Sequence, residues 1–284
     1  MTDNNPFPDE DNTGHIWDDN IRELNNPPPR WWMLSFWASI AWFVGYVFLY
    51  PSWPIGNEPS EGILGWTQIK ELNESMAEVE AVRAPYEDKI KSMTAAQILA
   101  DPGLSAYTVA SVKVLFGDNC GPCHGSGGQG APGFPVIADD DWLYGGSIAK
   151  IEESITKGRK GVMPAHGSRL SAGDIDTLAS YVVGLSKGQN DPEGKALFMK
   201  NVCFACHGPT GTGNQAMGSA NLADSIWRFE PGGVESARMS IAHGINDASD
   251  SKSREAVMPM FGDKLSADEI KKLAVYVHKL GGGQ

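Results

Sequence analysis

Cys120-Gly-Pro-Cys123-His124, set in LFGDNCGPCHG (115–125), and Cys203-Phe-Ala-Cys206-His207, set in LFMKNVCFACHG (197–208), decide how this chain is read. The two motifs use all four cysteines of its 284 residues. Cys-x-x-Cys-His is the attachment pattern of a c-type haem. Two thiols bond to the vinyl groups of one haem, and the adjacent histidine sits under the iron as proximal ligand. Rival uses of cysteine fit less well. CGPC alone is a thioredoxin-type redox sequence, but that reading wants a βαβ context and leaves the second motif unexplained. A zinc site built from four cysteines wants its pairs about 15–20 residues apart; these begin 83 residues apart, each with its own histidine. A disulfide across two intervening residues closes too small a loop to stabilise much.

Working outward, the second half of the chain repeats itself. After the first motif come GVMPAHG and RLSAGDIDTLASYV; after the second come AVMPMFG and KLSADEIKKLAVYV. Met163 to Tyr181 is 18 residues, as is Met258 to Tyr276, whereas His124 to Met163 is 39 and His207 to Met258 is 51. The extra length includes NDASDSKSRE (246–255), a polar surface insertion by composition. Each copy ends in a well-marked helix. Ser171 with Asp174, and Ser266 with Glu269, have capping-box spacing, and apolar residues follow at helical period (Ile175, Leu178, Ala179, Val182; Ile270, Leu273, Ala274, Val277). No alternating strand pattern stands out. Two tandem domains of ordinary small size are expected, residues 107–189 and 190–284.

Met163 and Met258, each before a proline at a matched position, are the candidate sixth ligands. A Met-Pro turn pointing its thioether at haem iron is usual in small class I cytochromes c, and His/Met ligation suits electron transfer. Met217 and Met260 compete in the second copy without counterparts in the first; His166 and His243 are alternatives that do not recur. Whether each methionine serves its own domain's haem or its neighbour's stays open. The expected site is therefore Cys120, Cys123, His124 and Met163 with Cys203, Cys206, His207 and Met258. It would hold two covalently bound haem c groups, with no catalytic residue.

Residues 31–50 read WWMLSFWASIAWFVGYVFLY, 20 residues without a charge. As a helix this spans ~30 Å, a bilayer core. Prolines 27–29 precede it and Pro51 and Pro54 follow, while Trp31, Trp32, Tyr50 and Trp53 suit the two interfaces. A core helix is seldom apolar all round. A cleaved signal would have a basic leader and a small-residue cleavage site. An uncleaved single-pass anchor is expected. Arg22 and Arg30 lie before it and no Lys or Arg follows until Lys70, which favours a cytoplasmic tail at residues 1–30. Haem attachment outside the bacterial cytoplasmic membrane favours the same orientation, with periplasmic haem domains on the inner membrane. Residues 51–106 read as a periplasmic spacer of short acidic helices broken at Pro85 and Pro102, packed on a partner or on the anchor's outer end.

The formal net charge is −12, from 23 basic and 35 acidic residues, which argues against a nucleic-acid partner. Residues 1–30 and 51–106 each carry −5, leaving −2 for the haem half. The acidic excess therefore lies outside the domains that would exchange electrons.

The chain resembles the dihaem cytochrome c subunit (subunit III, CcoP/FixP type) of cbb3-type cytochrome c oxidase over nearly its whole length. GHIWDDNIRELNNPPPRWW (14–32), YPSWP (50–54), Gly65-Trp66 and, most specifically, GFPVIADDDWLYGG (133–146) carry the likeness. Asp19-Asn20 and Pro28 depart from it, where glycine and an apolar residue are expected. The resemblance implies a mainly α protein: one transmembrane helix, then two tandem class I cytochrome c domains. It implies electrons taken from a donor cytochrome c or the bc1 complex and passed to a monohaem cytochrome c subunit. From there they reach the haem–copper subunit, where oxygen is reduced and protons are pumped. A free-standing membrane-tethered shuttle similar to cytochrome c4 is the main alternative, and a dihaem peroxidase, which needs an open iron, a weaker one.

Overall fold

The computed structural model describes residue 7, residues 9–18 and residues 20–284. Asp19, one of the departures from that resemblance, lies outside them, as does most of the start of the tail. The chain divides into two compact units, Met1–Val82 and Arg83–Gln284.

In the first unit the tail is not featureless. Strands β1 (Asn12–Trp17) and β2 (Ile21–Leu24) form an antiparallel hairpin. Helix α1 (Arg30–Leu49) follows, starting behind Pro29 and ending at Tyr50. None of its residues is buried, and its mean hydropathy is 1.6. A core helix would hide such a surface; a helix apolar all round and uncovered suits lipid. Its two serines return their hydroxyls to Trp31 O and Phe36 O, 3.0 and 2.7 Å away, so neither serine hydroxyl faces hydrocarbon unpaired. Strands β3 (Pro54–Ile55) and β4 (Glu58–Pro59) make a short ribbon. Helix α2 (Gln68–Ser92) then runs through Pro85 instead of breaking there. An interior proline loses one hydrogen bond and costs ~3 kcal/mol. Burial downstream offsets that cost: Ile90 is completely buried with Ala95, Ile98, Leu104 and Val275.

In the second unit, α3 (Ala95–Ala100) opens with a Thr94–Gln97 capping box, and Pro102 starts α4 (Pro102–Asn119) at a position where it needs no N–H. Then come α5 (Gly121–His124), α6 (Ile148–Lys157), β5 (Arg159–Lys160) and α7 (Ala172–Leu185). The second repeat supplies α8 (Pro192–Lys200), α9 (Phe204–His207), α10 (Gly233–His243), β6 (Val257–Met258) and α11 (Ala267–Lys279). Both expected capping boxes form, on α7 and α11. The spacer's end, residues 83–101, packs on α11. Lys271 Nζ donates to the Ile90 carbonyl (2.8 Å) and Lys272 binds Glu87 (3.0 Å), which also accepts from the Tyr107 hydroxyl (2.7 Å).

The two cores are built across the repeats. In one, Val112 and Phe116 of α4 and Ile151 and Ile155 of α6 pack on Ile270, Leu273, Ala274 and Val277 of α11. In the other, Phe198 of α8 and Ala237 and Ile241 of α10 pack on Ile175, Leu178, Ala179 and Val182 of α7. The equivalent ring pairs show the exchange. Phe116 of the first repeat meets Tyr276 of the second at 4.8 Å, and Phe198 of the second meets Tyr181 of the first at 5.6 Å. The connections cross where β5 and β6 pair antiparallel, Arg159 opposite Met258 and Lys160 opposite Val257. Two-residue strands are too short for any sequence periodicity to announce.

Candidate haem sites

Each Cys-x-x-Cys-His motif forms a single helical turn, α5 or α9, directly after the long helix that carries the Leu-Phe pair. His124 and His207 end these turns. His124 Nδ1 donates to Pro135 O and His207 Nδ1 to Ala220 O, both at 2.9 Å. A carbonyl can only accept, so Nδ1 carries the proton and Nε2 keeps its lone pair, the tautomer a metal ligand needs. Burial pushes the His207 imidazole below its usual range, again favouring the neutral ring.

The loops that deliver those carbonyls are closed the same way in both copies. Gly130 N donates to His124 O (2.7 Å) and Gly213 N to His207 O (2.9 Å). Both glycines have φ near +75°. A Cβ would lie 2.9 Å from Phe134 O at the first, and 2.6 Å from Ser219 O at the second. Only glycine lets the loop fold onto the histidine here.

The four thiols are unpaired. Burial drives the Cys120 thiol up to about 11, with Cys123 adding to the shift, and burial also raises Cys203. A redox-active Cys-x-x-Cys lowers a thiol pKa, so these pockets lean the other way.

The methionines are exchanged. Met258 packs against the core that contains Cys120, and Met163 against the core that contains Cys203. Each Met-Pro turn sits against a glycine ending the facing helix: Gly158 after α6 for Met258, Gly244 after α10 for Met163. A Cβ on either glycine would run into that methionine's carbonyl oxygen. The competitors stand elsewhere. Met217 and Met260 are half-exposed, His166 Nδ1 lies 2.6 Å from an Arg169 nitrogen, and His243 Nδ1 pairs with Asp250 at 2.9 Å.

Three family models match successive parts of the chain. Residues 9–57 match the N-terminal domain of cytochrome oxidase-cbb3, FixP; residues 108–182 match cytochrome c oxidase, cbb3-type, subunit III; residues 192–281 match cytochrome c. A cbb3-type cytochrome c oxidase subunit FixP from Azorhizobium caulinodans is 43% identical, over 96% of this chain and 93% of its own. FixP from Bradyrhizobium diazoefficiens is 39% identical over the full length of both, and CcoP from an Azospirillum species 38% over 96% and 95%. The chain belongs to the FixP/CcoP family. This FixP/CcoP-type chain therefore combines an apolar N-terminal helix with two cytochrome c domains, a kind of domain that implies covalently bound haem c.

The residues of this FixP/CcoP-type chain fit that group. Cys120 and Met258 pack against one core, Cys203 and Met163 against the other, each histidine is oriented by a carbonyl, and one further donor is left over. Arg159 stands four residues before Met163, and Arg254 four before Met258, in a repeated R-x-x-V-M-P that the reading of the sequence passed over. Each guanidinium lies over an aromatic ring of its own repeat: Arg159 over Tyr144 at 4.5 Å, Arg254 over Phe229 at 4.7 Å. Each also holds a serine of the preceding helix of its own repeat, Ser154 of α6 at 2.9 Å or Ser240 of α10 at 3.3 Å. Nη2 of Arg159 is buried without a hydrogen-bond partner and reaches Glu153 only at 3.5 Å. A carboxylate such as a haem propionate would satisfy it.

Proposed function

We propose that this chain is the membrane-anchored dihaem subunit that carries electrons into a cbb3-type oxidase. It would draw them from a donor cytochrome c or the bc1 complex and pass them, through a monohaem cytochrome c subunit, toward the haem–copper subunit that reduces oxygen. The observation that carries this is the pair of equivalent motifs, each beside a core on which the methionine of the other repeat packs. Bound haem c supplies a one-electron iron couple at each cradle. Everything else falls to the chain. Cys120 with Cys123, and Cys203 with Cys206, tether the group; His124 and His207 present Nε2, aimed by the carbonyls of Pro135 and Ala220. Met258 would offer its thioether to the group held by Cys120, Cys123 and His124, and Met163 to the group held by Cys203, Cys206 and His207. This crossed assignment is supported by the cores in which the sulfurs lie. With an imidazole and a thioether both engaged, neither group would offer oxygen a place to bind, and the role would be conduction and not bond chemistry.

Helix α1 anchors the subunit in the bacterial inner membrane. Residues 1–30 lie in the cytoplasm and the haem domains in the periplasm, the orientation favoured by Arg22 and Arg30 ahead of the helix.

Two measurements test the proposal. Mild detergent purification of the tagged chain should bring down haem b, copper and oxygen-consuming activity; a chain that purifies alone with its haem c is a free shuttle instead. Met163→Ala and Met258→Ala should each remove about half of the near-red sulfur-to-iron absorption of the oxidised protein, since each supplies one of two such bonds.

A further inference from the structure

The insertion at residues 246–255, present only in the second repeat, does more than lengthen a surface loop. Asn246, at φ 53°, reaches both crossing strands: its Nδ2 donates to Gly161 O (2.6 Å) and Ala256 O (2.9 Å), and its Oδ1 accepts from Ala256 N (2.9 Å). Gly161 and Ala256 are equivalent residues, each two before a methionine. Asp247 acts on one side only. Its Oδ2 accepts from Ala165 N at 2.7 Å, two residues after Met163, while Ser249 N and Oγ hold Oδ1 at 2.8 and 2.6 Å. Met163 itself exchanges both backbone bonds with Ile245, at 2.9 Å each.

The rest of the scaffold is the same on both sides. His166 N and Gly167 N bond to Ile241 O and Ala242 O, as Phe261 N and Gly262 N bond to Ile155 O and Thr156 O. Met260, the counterpart of Ala165, has no side chain accepting from its N–H among the described residues. The two methionine turns thus differ in one device, a carboxylate that locks the turn after Met163.

We propose that Asp247 is a positioning residue for Met163, resisting its displacement from the iron opposite His207 and leaving the Met258 side untouched. The idea rests on the crossed assignment of the methionines. A ligand on a turn held two residues to either side leaves the metal only if those bonds break first. A turn lacking one of them opens more readily.

The test uses the full haem-loaded chain and imidazole as a competing ligand, followed by loss of the sulfur-to-iron band. Met258→Ala provides a background in which the band reports Met163 alone. Adding Asp247→Ala should raise apparent imidazole affinity at that haem about tenfold, the scale of one charge-assisted hydrogen bond. Asp247→Asn, which keeps an acceptor for Ala165 N, should recover most of the loss. Ser249→Ala, which only frees the carboxylate, should shift the titration in the same direction by less, and serves if Asp247→Ala does not fold. In the Met163→Ala background, Asp247→Ala should leave the Met258 titration unchanged. Unaltered imidazole binding in the Met258→Ala background, or equal changes in both backgrounds, would overturn the proposal. If Met163→Ala leaves the band of the otherwise unaltered chain at full strength, the ligand assignment fails instead, and the two failures are told apart.

Discussion

Replacing Leu273 by alanine separates crossed packing from packing of each repeat on itself. Leu273 belongs to the second repeat, yet at 0% exposure it is enclosed with Val112, Phe116, Ile151 and Ile155 of the first. Its truncation removes three buried carbons from a site with no solvent to fill the space, which costs about 2–5 kcal/mol in comparable cores. A loss of about 3 kcal/mol corresponds to roughly a hundredfold or more in the opening equilibrium. Backbone amides that exchange through that opening should speed up by the same factor. Hydrogen exchange of the haem-loaded protein, resolved by peptide, should show the loss in α4 and α6 as well as in α11, with α8 and α10 unchanged. Leu178→Ala, on α7 of the first repeat at 2% exposure, gives the mirror experiment: protection should fall in α8 and α10. If Leu273→Ala instead exposes α8 and α10 while α4 stays protected, the exchange of C-terminal helices is wrong, and with it the crossed ligation.

Three further outcomes are expected. Gly158→Ala should loosen the Met258 turn and Gly244→Ala the Met163 turn, because each added Cβ meets the methionine carbonyl and the backbone there is left-handed. A fall in melting temperature together with partial loss of the sulfur-to-iron band would show it. Glu87→Ala should cost about 1–3 kcal/mol in denaturant unfolding, since it strands Lys272 and the Tyr107 hydroxyl, whose pKa burial, with help from Glu87, raises to about 12; Glu87→Gln should cost less. The Asp247 carboxyl is held down to about 2, chiefly by the backbone N–H of Ala165. Its pKa is lower folded than unfolded. The stabilisation it gives is therefore complete above the ordinary carboxylate value of about 3.9 and lost as pH falls toward 2. Asp247→Ala should flatten that part of an acid-unfolding curve.

Much of this was legible along the chain. The anchor was marked by an uncharged run bracketed by prolines, and α1 occupies it within one residue at each end. The capping boxes of α7 and α11 formed at the spacings that announced them. Pro85 misled because the cost of an interior proline is local while the burial of Ile90 that offsets it is not. The spacer was expected on a partner or on the anchor's outer end; its residues 83–101 lie instead on α11, through lysines that read as ordinary surface charge. The insertion looked like solvent-facing filler because Asn246 and Asp247 act through hydrogen bonds to backbone residues some 80 positions earlier. Arg159 and Arg254 carried a signal, the same spacing before each Met-Pro, that went unread.

Residue type and spacing alone pointed to the donors proposed for each cradle, two thiols, an imidazole and a thioether, and to the helices that carry them. They could not determine which methionine closes which cradle. The repeats are alike at every contact that matters: Phe116 matches Phe198, Tyr181 matches Tyr276, and each terminal helix offers the same apolar stripe. Either C-terminal helix can satisfy either N-terminal half at nearly equal local cost, as in any exchange of identical elements between copies. That degeneracy is broken only in three dimensions. The short β5–β6 pairing and the hydrogen bonds of Asn246 and Asp247 hold the two chain crossings together, with Met163 and Met258 against opposite cores.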